Sequence, residues 1–477
     1  MSKLKNIIKQ LTTKDYTAIY ESLINSNAEK SAYLLKFMRE KHLSDAKIMD
    51  ELEVNTNAYY TLRSRLNQKI EEYLVQQMES PRTSLIKKVA TIHEIIFTKK
   101  KAIAIATLKK LEKELLDYDL SNELTIVYKT LKKLLIYTPE DLFTYSQAYN
   151  KHVAYMLALD KAEDLLGSYF KKYGEYYLSN EETDLIGLNL IRDELNNVSN
   201  LYQSHRLYVY QSFVNCFHSL IIDKKPDPEF ENTFEKIQSI FDSYYLDANY
   251  YHLILVLEYL RIEYYLATDQ IPKLEKALED INESVPVLVS NYYLFTFSPR
   301  ILLVKQLYAM KSNTDKLLYE ENKTLFEDYD VNKNNIPEYV IYSMYRITAC
   351  YYMGKYEEAS KLINQLLNDT TLKRFPKTLI EIKLFLALQY AIIKDADLFN
   401  QLINSIQRQI RMMGKDDCEH AVVLTKLLKA AFQDNNKAKK LKLQSLIERL
   451  KPLLPTYYTP FKYIQLDDRL VDVLCER

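Results

Sequence analysis

The sequence predicts an all-α protein, a solenoid of helical hairpins preceded by a small helical N-terminal unit. Three observations carry that expectation. There are only 5 Gly and 12 Pro in 477 residues, so little material exists for turn-rich β architecture. Apolar residues recur at intervals of three and four over most of the chain, the period of a helix face. Short polar or glycine-bearing turns interrupt those patterns, and from Asp269 onward they return about every 40 residues, within the range of helical-pair repeats. An array of that kind enlarges its core by stacking each pair on its neighbour. Helix content is expected to be well above the roughly one-third of an average globular domain.

Residues 1–80 are expected to form the separate N-terminal unit. In it Ile48, Met49 and Leu52 make a short apolar face, Val54 falls in a turn, and Asn55 or Thr56 can cap the next helix. Ser44 is the matching cap of the helix before. Tyr59, Leu62, Leu66, Ile70 and Tyr73 then repeat at helical spacing. Ser80-Pro81 marks a boundary, because proline cannot continue a helix and biases its predecessor away from one.

The repeat array is expected over residues 81–455. It opens with a lysine turn before Ala102 in FTKKKAIAIATLKKLEKEL, followed by a turn at Asp160-Lys161-Ala162 and later turns at Asp269, Asn313, Gly354 and Asp395. Lys224-Lys225-Pro226-Asp227-Pro228 reads as a loop. VLVSNYYLFTFS, bracketed by Pro286 and Pro299, reads as a helix between two turns. Lys451-Pro452-Leu453-Leu454-Pro455 ends the last long helix and leaves residues 456–477 as a capping tail.

Tyr342 to Asp369, YSMYRITACYYMGKYEEASKLINQLLND, is the clearest unit. Gly354 suits a left-handed helix end, Glu357 and Glu358 favour the positive end of the next helix, and Ala359 permits close crossing. With Gly354, Tyr356 and Ala359 in these places the stretch resembles a tetratricopeptide (TPR) repeat. The resemblance implies a TPR-like α-α superhelix over residues 85–450 and is specific over this one repeat. It also implies that Ile341, Met344, Thr348, Tyr351 and Tyr352 face a concave groove suited to an extended peptide or a partner helix. The alternative is that these five pack against the next repeat.

Leu43 to Leu74 resembles a helix-turn-helix of the sigma-factor region 4 type, departing from it with Met49 where a small residue is usual and Glu53 where glycine is preferred. The resemblance implies that Thr56, Asn57, Tyr60, Thr61, Ser64 and Arg65 point towards a DNA groove, with Arg63 at the edge. Basic and acidic residues nearly balance from Met1 to Glu79, whereas a DNA reader needs a basic footprint. Arg82, Lys87, Lys88, Lys99, Lys100, Lys101, Lys109, Lys110 and Lys113 follow and would extend one, or form a solvated helix face.

No chemical site is legible. His42, His93, His152, His205, His218, His252 and His420 stand apart, without metal-ligand spacing. Cys216 and His218 are two positions apart on one helix, where side chains diverge. Phosphate-cradling and nucleophile-elbow motifs do not occur. The expectation is therefore a non-enzymatic protein with no cofactor and no metal. Lys+Arg 64 balance Asp+Glu 64, so no global field argues for nucleic acid or an anionic membrane. The isolated Cys216, Cys350, Cys418 and Cys475, and an N-terminus lacking a secretory apolar core, predict a cytoplasmic protein.

The expected role is a protein–protein interaction scaffold that grips a protein or peptide on a curved face. The alternative is a DNA-binding transcription regulator joining a helix-turn-helix to a TPR-like sensor or dimerisation array.

Overall fold

The computed structural model describes residues 4, 7–8, 11, 13–26, 28–40, 45–77, 81–244, 248–282, 298–320, 332–414, 418–432 and 437–475. Regular structure in it is helical, with no strand among the described residues, and the protein is all-α. The chain divides into two compact units.

The first unit comprises Met1–Ala162, Val198–Arg261 and Glu279–Val287. It begins with α1 (Thr13–Asn25), α2 (Glu29–Glu40), α3 (Asp45–Glu51) and α4 (Thr56–Gln77). Ile19, Leu23, Leu34, Leu35, Ile48, Leu52, Tyr59, Leu66 and Ile70 are buried in one shared core, with Met49, Val54, Leu62 and Tyr73 packed on its edge. Between α3 and α4, Glu53 takes the left-handed conformation at φ 50°. Asn55 Oδ1 accepts from the Ala58 amide and caps α4. The expected cap Ser44 lies outside the described residues.

A second core follows in α5 (Pro81–Ala90), α6 (Ile92–Thr98), α7 (Lys101–Asp117) and α8 (Ser121–Leu134), centred on Leu85, Ile92, Leu108, Leu115, Leu124 and Leu131. The turn before Ala102 is present, with Lys99 and Lys100 between α6 and α7. The expected turn at Asp160-Lys161-Ala162 is not. It lies inside α9 (Pro139–Ser179), an uninterrupted 41-residue helix. No proline or glycine occurs between Pro139 and Gly167, Asp160 and Lys161 are solvent-exposed, and Ala162 is buried. A polar pair on the wet side of a long helix thus has the composition of a turn.

Next come α10 (Glu182–Leu201), α11 (His205–Phe217), a π-helical turn His218–Ile222, α12 (Glu229–Ser243), α13 (Ala248–Ala267) and α14 (Ile271–Asn282). Lys224 to Asp227 form the expected loop, Lys224 at φ 53°. Asp119 fastens α11 in the first unit. Its Oδ2 accepts from Ser204 Oγ at 2.8 Å and from the His205 amide at 2.9 Å, while Ser204 caps the helix. The His205 ring stacks on Tyr244 with centroids 4.3 Å apart.

The second unit comprises Glu163–Asn197, Ile262–Leu278 and Leu288–Arg477. Its later helices are α15 (Ser298–Ser312), α16 (Ile336–Tyr352), α17 (Tyr356–Asp369), α18 (Pro376–Ile392), α19 (Ala396–Met413), α20 (Glu419–Ala430), α21 (Lys437–Leu450) and α22 (Asp468–Cys475). α16 with α17, α18 with α19, and α20 with α21 form hairpins, while α15 meets α16, α17 meets α18, and α18 meets α20. One turn geometry recurs. Asp269, Asn313, Gly354 and Lys394 all have positive φ. After each, the next amide donates five residues back: Gln270 to Tyr265, Thr314 to Ala309, Lys355 to Cys350 and Asp395 to Tyr390, at 2.9–3.1 Å. This is the Schellman closure of a helix end, and it satisfies carbonyls the helix leaves open. The VLVSNYYLFTFS segment lies outside the described residues apart from Ser298, which opens α15.

Candidate functional site

The expected groove residues on α16 do not face an open groove. Ile341, Met344, Thr348 and Tyr351 are buried, and Tyr352 is half-buried. Thr348 Oγ1 donates to the Met344 carbonyl, Tyr351 packs against Tyr356 and Phe385, and Tyr352 Oη donates to the Tyr463 carbonyl at 3.0 Å.

The segment between α21 and α22 packs against α9, α15, α16 and α18. In it Tyr457 to Ile464 are buried, apart from a half-buried Lys462. The Tyr458 amide donates to the Tyr177 carbonyl at 3.0 Å, and the Tyr177 and Tyr463 hydroxyls lie 2.8 Å apart. Gln465 Nε2 donates to the Met310 carbonyl at 3.1 Å, and Arg469 reaches Asn313 and Asp315. The segment therefore runs from the end of α9 past α18 and α16 to the end of α15, in largely extended backbone. Thr459 and Ile464 have φ −143° and −126°, on either side of one short 3-10 turn at Pro460–Tyr463.

Two polar groups lie beside it. The first is the half-buried Arg300, whose Nε lies 2.7 Å from Glu263 Oε1, whose NH1 donates to Tyr173 Oη at 3.0 Å, and whose guanidinium covers the ring of Tyr177, the segment's own partner, at 5.5 Å. Burial keeps the Tyr177, Tyr458 and Tyr463 phenols protonated, pushing each above the ordinary tyrosine range. The second is Glu381 on α18, 0% exposed among Ile380, Ile382, Leu384 and Phe385. Glu381 Oε1 is 2.6 Å from His420 Nε2, and Oε2 accepts from Thr459 Oγ1 at 2.5 Å. Thr459 Oγ1 in turn accepts from the Phe461 amide at 3.3 Å, and Tyr457 Oη lies 3.4 Å from His420 Nε2. The Phe461 ring meets Phe385 edge-on, with centroids 5.6 Å apart.

The sequence alone did not single out Glu381 or Thr459, and His420 read as one of seven isolated histidines. The available signal was a lone carboxylate in TLIEIKLFLALQYAI, a helix apolar on nearly every side. Such a helix is buried all round, and a charge within it needs a partner.

On the N-terminal unit, Thr56, Tyr60, Thr61, Ser64 and Arg65 are exposed, Tyr60 at 59%. Arg63 is half-buried, its guanidinium 5.6 Å from the Tyr59 ring centre and 5.7 Å from that of Tyr60. Asn57 lies in the first turn of α4, with its side chain outside the described residues. Among the described residues no group of three His, Cys, Asp or Glu could hold a metal ion. No described helix is long and apolar enough to cross a membrane. Burial pushes the Cys216 thiol up to about 12, away from the thiolate that nucleophilic chemistry requires. Comparison with known protein families, curated proteins and solved structures found no match to this chain.

Proposed function

We propose that this chain is a non-enzymatic interaction scaffold, a TPR-like superhelix whose second unit holds an extended peptide along the first helices of its hairpins. The observation that carries the reading is the path of Tyr457 to Gln465. An extended segment, bonded partly through its own backbone, already lies where a peptide ligand of such an array would lie. The stacking of α15, α16, α18 and α20 in chain order supports the superhelix. The test is a full-length chain with a site-specific protease site inserted beside exposed Thr456, cleaved after folding. A labelled peptide of residues 456–477 is expected to exchange into the nicked protein saturably. Failure to bind, with the helical signal intact, refutes the reading.

A second reading, a DNA-binding regulator, is favoured by one observation. The left-handed Glu53 supplies the turn a helix-turn-helix needs, and Thr56, Tyr60, Thr61 and Arg65 are exposed beyond it. Fluorescence anisotropy against duplex DNA at two salt concentrations tests it, with Arg63→Ala and Arg65→Ala as probes. Binding that falls steeply with salt and weakens in both variants supports it; absence of binding at low salt removes it.

A further inference from the structure

We infer that Glu381 and His420 form a recognition subsite for a serine or threonine hydroxyl followed by proline and an aromatic residue, in an extended segment of a partner protein. The inference rests on the peptide-holding reading above and names the chemistry of the ligand. The chain's own Tyr457-Tyr458-Thr459-Pro460-Phe461 is the template, and it acts as the built-in competitor.

The argument begins with the position of the carboxylate. Burying a polar pair in place of apolar side chains of equal volume seldom adds stability, so stability alone gives α18 no reason to carry Glu381. The pair does provide discrimination. His420 occupies one carboxylate oxygen, and the other accepts from the hydroxyl of Thr459. That hydroxyl works in both directions, donating to Glu381 and accepting from the Phe461 amide. Valine, which has the shape of threonine, would leave a buried carboxylate oxygen and a buried amide without their partner. Serine would keep both bonds. A site built on buried hydrogen bonds rejects the analogue that lacks them far more strongly than an apolar pocket rejects a missing methyl.

The neighbouring contacts extend the pattern. Pro460 opens the 3-10 turn that brings Phe461 to Phe385, so proline after the hydroxyl sets where the aromatic ring falls. The Tyr458 amide and the Tyr463 carbonyl are bonded through backbone atoms, by the Tyr177 carbonyl and the Tyr352 hydroxyl. Any segment in the same conformation can make these two bonds. The selective contacts are thus the hydroxyl and the two aromatic positions around it. The link that delivers the tail holds Pro452 and Pro455 and is exposed or half-exposed from Lys451 to Thr456.

The nicked full-length protein is titrated with labelled peptides of residues 456–477 carrying threonine, serine or valine at position 459. The threonine and serine peptides are expected to bind alike, and the Thr459→Val peptide about tenfold more weakly, the cost of leaving buried polar groups unsatisfied. In Glu381→Gln protein the gap between the threonine and valine peptides is expected to narrow. Equal binding of the threonine and valine peptides by the native protein overturns the subsite and leaves the peptide groove standing. Absence of binding by all three, with the nicked protein still helical, overturns the groove itself. If Glu381→Gln does not fold, the peptide series with native protein decides alone.

Discussion

Gly354→Val isolates the energy of one helix end. Gly354 sits at φ 71°, and a Cβ built there would meet nothing within 4 Å. The substitution therefore carries no clash, and its whole effect is conformational. Holding an L-residue in the left-handed region costs about 1–2 kcal/mol. β-branching puts valine at the upper end, with alanine somewhat below it. For a unit of this size each kcal/mol lowers Tm by roughly 2–4 °C. Because a hairpin array need not unfold in two states, amide exchange around the turn is the sharper readout. The amides of Gly354 and Lys355, bonded to the Tyr351 and Cys350 carbonyls, should exchange faster while those in α20 and α21 do not. The converse change is Asp269→Gly, which relieves the same strain at φ 56° and gives up only the exposed contact to Lys311. Since such a surface pair contributes about 0–1 kcal/mol, Asp269→Gly should be neutral or stabilising by up to about 1 kcal/mol. An unchanged Tm and exchange pattern in Gly354→Val, or marked destabilisation in Asp269→Gly, would refute this account of the turns.

Acid should weaken the second unit through Asp184. Burial alone would raise its carboxyl, but hydrogen bonds from Lys172 at 2.6 Å and Ser179 at 2.5 Å hold it below the usual range. A depressed carboxyl contributes stability above its unfolded value near 3.9, and that contribution disappears as pH falls through the folded value. The raised Lys172 loses its share only above about pH 10.4. Tm curves of native and Asp184→Asn protein should therefore converge below about pH 4, and a constant gap would exclude this cause. Burial also pushes the Cys350 thiol up to about 11, and Cys418 is buried, so mild alkylation of folded protein should modify Cys475 first. Mass spectrometry showing prompt labelling of Cys216 or Cys350 would contradict their burial.

The turns were legible because a helix end is encoded locally. Asp269, Asn313 and Gly354 are residue types that tolerate positive φ, each directly after an apolar helical pattern. The hairpin near Asp395 was placed one residue late, the left-handed residue being Lys394, whose long side chain disguises the turn. Asp160 misled because local composition is the same on a wet helix surface as in a turn. The partners of the α16 residues were hidden for a different reason. Tyr351 packs on Phe385 of α18, and Tyr352 is bonded to Tyr463, more than a hundred residues further on. Pro452 and Pro455 mark where that segment starts but carry no sign of its path. Its anchor, Glu381, was visible only as an anomaly in an apolar run.

The position of the covering segment has a consequence for biosynthesis. The carbonyls and rings it meets, from Tyr177 through Met310 and Phe385, all leave the ribosome long before Tyr457 to Gln465 do. Until Tyr457 to Gln465 have been made, Glu381 and the tyrosines beside it therefore wait without their final partners. A product that stops near Leu450 would carry every hairpin and still present an uncovered acidic, aromatic surface, the kind of exposed patch that chaperones and proteases recognise.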